Sequence, residues 1–272
     1  GLETSGGSAA NTMAGYASFG GKGAFIGKVA DDELGNTYKK DIQSLGVNFE
    51  TTPLALGAST GRCMILVTPD AQRTMNTFLG ASVELSPADI DADLISASKI
   101  TYLEGYLFDR EQAKQAFITA AEKAHEAGHR IALTLSDPFC VDRHRSDFLK
   151  LVENHVDILF ANEDELKSLF MQENFDDAVS AISKHVEIAA ITRSEKGAVI
   201  ISKGKSIKID AVPVDHVIDT TGAGDQFAAG FLYGFTEGKT LEECGKLGAI
   251  AAAEVISHIG PRPAVKLADL AA

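Results

Sequence analysis

No run in this chain approaches the ~18 consecutive apolar residues that a membrane-spanning helix requires. No block of lysine and arginine appears either. With 25 basic residues against 38 acidic ones the formal net charge is −13, which argues against nucleic acid or an acidic membrane surface as a partner. Cysteine is scarce: Cys63, Cys140 and Cys244 are odd in number, far apart and never in a CxxC pair. They read as reduced thiols of a cytoplasmic protein instead of a disulfide framework. Internal repeats, linkers and low-complexity tracts are also missing. What remains is an ordinary globular composition of 272 residues, 45% hydrophobic and 23% charged. That length can bury a large core in one α/β domain, with room for a small accessory lobe.

Apolar periodicity orders the chain. Residues 8–19 have helical spacing, 23–30 read as a short buried strand, and 31–45 as a helix stopped at Gly46. Two extended runs, 60–68 and 73–80, flank the turn signal Pro69-Asp70 and predict a hairpin. Ser86-Pro87 opens a further helix, and 100–108 is a strand running into a loop. Helix and strand then alternate: helix 109–127, strand 130–136, helix 144–153, strand 156–162, helix 163–171, helix 176–184, strand 187–194. A hairpin (198–202 with 206–212) and two helices, about 224–236 and 241–257, close the chain. Continuously apolar strands between amphipathic helices predict a mainly parallel sheet covered on both faces.

The stretch Val217–Phe231, VIDTTGAGDQFAAGF, is the most informative. A β-branched approach, a turn with Gly222 and Gly224, and a helical run together predict strand, turn and helix N-terminus. Free N–H groups and the helix dipole attract an anion there. Asp225 falls in the first turn, where a site that only held phosphate would not favour a carboxylate. A base beside an anion hole is one reading; a helix cap with Asp placed for the dipole is the other. Asn162 and Glu165 in LFANEDE, three residues apart after a buried strand, read from the pattern alone as a helix capping box. Three further patterns do not hold up. Gly234 to Thr240 is one residue short of a P-loop and follows a helix; Thr240 with Glu243 is a better capping box. His125 and His129 have no third zinc ligand in sight. Gly6-Gly7-Ser8 has Ala10 where a nucleophile elbow needs glycine.

DTTGAGD closely resembles the C-terminal signature of the ribokinase-like (PfkB) carbohydrate and nucleoside kinases. SGGSAANTMAGYASFGGKGAFIGKVADDELG (5–35) resembles their N-terminal signature, and the similarity continues through LFANEDE to cover essentially the whole chain. Within the family it is most similar to bacterial adenosine-kinase-like members. The resemblance implies a three-layer α/β/α sandwich with a mainly parallel central sheet and a small β lid at about 55–80, forming one kinase domain. It also implies that a first strand and part of the lid, with an acidic residue that meets substrate, precede Gly1.

For the site, the resemblance implies Asp225 as general base and the N–H groups of Gly222, Ala223 and Gly224 as anion hole. Arg73 matches a lid arginine that reaches the transferring phosphate in adenosine kinases; an ordinary surface hairpin arginine is the alternative. Gly6, Gly7 and Asn11 match the family positions that meet the sugar hydroxyls; Glu104 and Tyr106, at the end of a strand near that site, are candidates for a hydroxyl acceptor and a stacking ring. The resemblance also implies Thr192, Arg193, Gly197 and Asn162 as nucleotide contacts, although Ser194 stands where relatives often have glycine, and Arg193 equally reads as a solvated turn cation. Glu165 and Asn162 help hold Mg²⁺. Asp219 and Thr221 lie where some relatives bind a monovalent cation, so K⁺ is a further candidate beside ATP and Mg²⁺. The expected reaction is ATP-dependent phosphorylation of a primary hydroxyl on a ribose-containing substrate. Adenosine is favoured because Met64, Leu66, Met75 and Phe78 on the lid runs offer a nucleobase apolar surface. A kinase of free ribose or fructose is the alternative reading, and a non-catalytic nucleotide- or sugar-binding protein is one from another class. Monomer and homodimer are both compatible with the pattern.

Overall fold

The computed structural model describes residues 1–69, 71 and 73–271. Asp70, half of the expected Pro69-Asp70 turn, lies outside the described residues. In chain order, helices α1 (Ser8–Ser18) and α2 (Glu33–Ser44) precede strands β1 (Arg62–Val67) and β2 (Arg73–Phe78). Short helix α3 (Ala92–Ser96) then leads to β3 (Ile100–Glu104), α4 (Glu111–Glu126), β4 (Arg130–Thr134), α5 (Pro138–His155) and β5 (Ile158–Asn162). Next come α6 (Glu163–Phe170), α7 (Phe175–Ile182), β6 (Ile188–Thr192), β7 (Ala198–Ser202) and β8 (Lys205–Ile209). Helices α8 (Ala223–Thr236), α9 (Leu241–Val255) and α10 (Leu267–Leu270) follow. The chain divides into two compact units. One comprises Gly1–Leu85, Val212–Glu237 and the segment from Lys246 onward; the other comprises Ser86–Ala211 and Gly238–Gly245.

The second unit is built on a six-stranded sheet in the order β3-β4-β5-β6-β7-β8. β3 to β6 are mutually parallel, and β7 and β8 continue antiparallel. Ile131, Leu133, Ile158, Leu159, Ala190 and Ile191 are essentially inaccessible, the two-sided burial expected of parallel strands. A two-residue turn, Lys203-Gly204, has both φ angles positive, the form that suits the twist of the β7–β8 hairpin. Helix α4 buries an alanine-rich stripe (Ala113, Ala116, Ala120, Ala124) and stops at Gly128, as predicted. Helix α5 is longer than expected. It starts at Pro138, with the Asp137 side chain accepting from Phe139 and Cys140 N–H. A non-helical residue at His144 interrupts its periodicity, which hid its first turns.

The first unit packs α1 against α8, and the two helices come so close at Gly15 that a Cβ there would sit 2.0 Å from Gln226 Oε1. Ala10, Val29, Ile42, Val47 and Phe49 form a small core, with Phe25 and Tyr38 packed on it. Two expected strands of this unit do not form. Residues 23–30 make only the isolated bridges Ala24↔Asn48 and Ala30↔Leu54, with Phe25 N–H donating to the Asn48 carbonyl at 2.8 Å. The approach Val217-Ile218 is also no strand. Its side chains are about 40% exposed, and Ile218 N–H donates to the Ile256 carbonyl, so α8 is reached from a loop. The hairpin forms as predicted: β1 and β2 pair antiparallel with Val67 opposite Arg73 and Ile65 opposite Met75.

Candidate active site

The loop before α8 is shaped by Asp219. Its buried carboxylate accepts from Thr221 N–H (2.9 Å), Thr221 Oγ1 (2.6 Å) and Gly260 N–H (3.1 Å). Burial alone would raise its pKa, yet these bonds and nearby Arg73 hold it below the usual carboxylate range. The chain then turns at Gly222, whose φ of 83° is left-handed and whose added Cβ would meet the Pro261 backbone at 2.6 Å. Only glycine fits that position. As N-cap of α8, Gly222 supplies no side-chain bond to the helix N–H groups. Ala223 N–H makes a long 3.3 Å bond to the Thr220 carbonyl, so it is partly committed within the turn.

Asp225 sits in the first turn of α8, and α1 supplies its donors. Ser8 Oγ gives a 2.7 Å bond to Oδ1, and Asn11 Nδ2 a 2.9 Å bond to Oδ2. Burial pushes the Asp225 carboxyl up, while Asn11, Ser8 and the Arg73 charge pull it back down. A carboxylate whose pKa burial raises, with two donors aimed at its oxygens, can accept a proton from a hydroxyl. Arg73 Nη1 donates to Thr220 Oγ1 at 2.7 Å, which anchors the lid hairpin to the same turn. Of the expected sugar-contacting groups, Asn11 is 4% exposed and its amide is already bound to Asp225. Gly6 and Gly7 precede α1, and the Gly6 carbonyl accepts from half-buried Tyr38 OH at 3.3 Å. Strand register decides which lid side chains share a face with Arg73. Directly paired residues point the same way and neighbours alternate, so Cys63, Ile65, Val67, Met75 and Thr77 lie on the Arg73 face. Met64, Leu66 and Phe78 lie on the opposite face, which removes three of the four side chains expected to meet a nucleobase.

The remaining expected residues belong to the second unit. At the end of β5, Asn162 and Glu165 form the full capping box: Asn162 Oδ1 accepts from Glu165 N–H, and Glu165 Oε2 from Asn162 N–H. Glu165 Oε1 also accepts from Asn162 Nδ2 at 2.7 Å. No group of three or more His, Cys, Asp or Glu able to enclose a metal exists among the described residues. Mg²⁺ does not need one, because it retains waters and binds through one or two carboxylates plus phosphates. Oxygen donors of this kind, a carboxylate beside an amide, are what Mg²⁺ and its waters prefer, so the donor set fits. After Thr192, at the end of β6, Arg193 Nε pairs with Glu163 Oε2 (2.8 Å) and its guanidinium lies 3.8 Å from the Phe175 ring centroid. Gly197, with φ of 79°, closes the turn. Glu104 caps the turn after β3, accepting from Tyr106 N–H and from Ser136 Oγ at 2.5 Å, and Tyr106 is 40% exposed. Elsewhere His125 contacts Asp157 and His129 the Ser96 carbonyl, and Thr240 and Glu243 cap α9.

Ser8 as a donor to Asp225, Thr220 as the lid anchor and Gln226 as a buried brace escaped sequence reasoning. Ser8 was visible only as a failed nucleophile elbow. Its partner lies 217 positions away, and no local spacing encodes that pairing.

The sequence profile described as pfkB family carbohydrate kinase matches residues 2–267. The chain belongs to this family, and so is a phosphotransferase with an alcohol group as acceptor. It is 51% identical to adenosine kinase from Sinorhizobium meliloti, with TM-score 0.97 over 99% of this chain and 83% of that one. It is 50% identical to a "probable sugar kinase protein" from Rhizobium etli CFN 42, again with TM-score 0.97, over 99% and 82%. Arabidopsis thaliana ribokinase, solved with ribose and ATP, is 25% identical with TM-score 0.82, over 98% and 86%. The class, the mainly parallel sheet and the small lid expected from sequence all agree with these relatives.

Proposed function

We propose that this chain transfers the terminal phosphoryl group of ATP to the primary hydroxyl of a ribose-containing substrate, and that adenosine, giving AMP, is that substrate. One observation carries the reading: the Asp225 carboxylate stands at a helix N-terminus without a side-chain cap, held by Ser8 and Asn11. In this reading Asp225 takes the hydroxyl proton. N–H groups at Gly222, Ala223 and Gly224 receive the charge that develops on the phosphoryl oxygens, and Arg73 adds a positive charge from the lid. Such catalysis is mainly positioning and electrostatics.

For the substrate sugar we assign Gly6, Gly7 and Asn11, with Glu104 and Tyr106 as further contacts. For the nucleotide we assign Thr192, Arg193, Gly197 and Asn162. Glu165 and Asn162 would hold Mg²⁺ through its waters, and the ion would supply charge neutralisation on the phosphates. K⁺ near Asp219 and Thr221 belongs to the same proposal, as do a cytoplasmic location and small-molecule partners only.

Adenosine is supported by the likeness to the Sinorhizobium enzyme and by the apolar Ile65, Val67 and Met75 on the Arg73 face of the lid. Burying a purine against them would contribute about 25 cal/mol per Å², which a free sugar gains little of. The test is ATP consumption with adenosine, other nucleosides, ribose, fructose and fructose 6-phosphate. Adenosine should give the highest kcat/KM. A higher value for any free or phosphorylated sugar would replace the substrate and leave the phosphotransferase in place.

A further inference from the structure

Arg262 lies outside every motif discussed above, on the loop after α9, and it meets the base through one intermediary. Its Nε donates to Asn11 Oδ1 at 3.4 Å, and its Nη1 to Asp41 Oδ2 on α2 at 2.6 Å. The side chain is 12% exposed. Its Nη2 is buried without a hydrogen-bond partner, which costs free energy. Next to Asp225, the fully buried Gln226 donates from Nε2 to the carbonyls of Asn11 (2.9 Å) and Pro261 (3.0 Å). Two pairs of chain neighbours, Asp225-Gln226 and Pro261-Arg262, thus converge on Asn11.

From this geometry we infer that Arg262 is a positioning residue that fixes the Asn11 amide so that it can only donate to Asp225. The reason is the chemistry of the three groups. A guanidinium has donors only and an ionised carboxylate acceptors only, whereas an amide has one end of each kind. With Arg262 facing Oδ1, the Nδ2 end must face Asp225, which favours the ionised carboxylate. Without Arg262 the amide is free to reverse and accept from a protonated Asp225, which stabilises the form that cannot act as a base. Asp41 holds the guanidinium in place, and Tyr38 is the other titratable group beside that pair. Around Asp225 itself the polar and charged neighbours are Ser8 and Asn11 from α1 and Arg73 from β2. Arg262 acts through Asn11, not by direct contact with the carboxylate.

The inference rests on Asp225 as general base, and the experiment separates the two. The side-chain ¹³C carboxyl resonance of Asp225, assigned by its loss in Asp225→Asn, is titrated in the wild type and in Arg262→Met, Arg262→Lys and Asp41→Asn. In parallel, kcat is measured against pH with MgATP and whichever of adenosine, ribose or fructose turns over fastest. Arg262→Met should move the midpoint and the acid limb of kcat upward by about one pH unit, so that turnover on the acid side falls about tenfold and recovers at alkaline pH. Arg262→Lys, which still offers Asn11 a donor, should regain at least half of that shift. Asp41→Asn should shift in the same direction by less. An unchanged midpoint in both Arg262→Met and Asp41→Asn, even with a lower melting temperature, assigns Arg262 to packing and overturns the inference. If Arg262→Met does not fold, the Asp41→Asn midpoint decides by the same criterion. Retained turnover in Asp225→Asn would instead remove the base, and the resonance would still report whether Arg262 governs that carboxyl.

Discussion

Helices α6 and α8 both carry a carboxylate on the first turn, but its partners differ. In α6 the Asn162 and Glu165 side chains satisfy each other's backbone N–H groups within four residues. In α8 the N-cap is glycine and Asp225 takes its donors from α1, more than 200 positions away. A carboxylate satisfied locally closes a helix end. One held from another element leaves the helix N–H groups to a ligand, and its cost is met by packing two helices together. The same distinction separates Arg193, matched to Glu163 and stacked on Phe175, from Arg73, which reaches across to Thr220.

The comparison breaks most severely at Gly222. Gly222→Ala must hold a left-handed φ and push a methyl into the Pro261 backbone. The strain is about 1–3 kcal/mol, and displacement of the anion-binding turn should lower kcat by roughly 10²-fold or more. A thermal melt and a turnover assay together check it; a variant with wild-type turnover removes the turn from the mechanism. Arg73→Ala should lower kcat by roughly 10- to 10²-fold with a smaller change in ATP affinity, as for a contact made in the transition state. Since Arg73 pulls the Asp225 pKa down, its loss should also move the acid limb of kcat to higher pH. Weaker substrate binding with kcat intact would place Arg73 outside the phosphate chemistry.

Much of this contrast was legible in the sequence. GAGD after Asp219-Thr-Thr, the hairpin at 60–80 and the strand–helix alternation all show in local spacing. The capping box at Asn162 was legible for the same reason, since its partners are three residues apart. Ser8 and Arg262 were not, because their significance exists only after α1, α8 and the last loop have packed. The lid illustrates an intermediate case. Alternation along each strand was visible, yet which face carries Arg73 depended on the register of Val67 with Arg73. The start of α5 was legible in hindsight: Asp137-Pro138 is a cap followed by proline at the first helical position, obscured by the break at His144.

Smaller effects sharpen the contrast. Glu165→Gln keeps an acceptor for the Asn162 N–H, so stability should fall by no more than about 1 kcal/mol. If the carboxylate also orders waters of Mg²⁺, the Mg²⁺ concentration for half-maximal activity should rise. A lower melting temperature with an unchanged Mg²⁺ titration would restrict Glu165 to capping. On the lid, Met75→Ser should raise KM for adenosine by roughly 5- to 30-fold, since about 1–2 kcal/mol of apolar contact is at stake. Met64→Ser, on the opposite face, should leave it unchanged. Equal effects at the two positions would contradict the facing read from register.

The most direct measurement is Asp225→Asn, compared with wild type for turnover and for ATP and adenosine binding by calorimetry. Asparagine keeps the size of the side chain and an acceptor for Ser8 or Asn11, but it cannot take a proton. The account predicts affinities within a few-fold of wild type and turnover lower by about 10²–10⁴, the range for losing a general base. Near-wild-type turnover in this variant would contradict it.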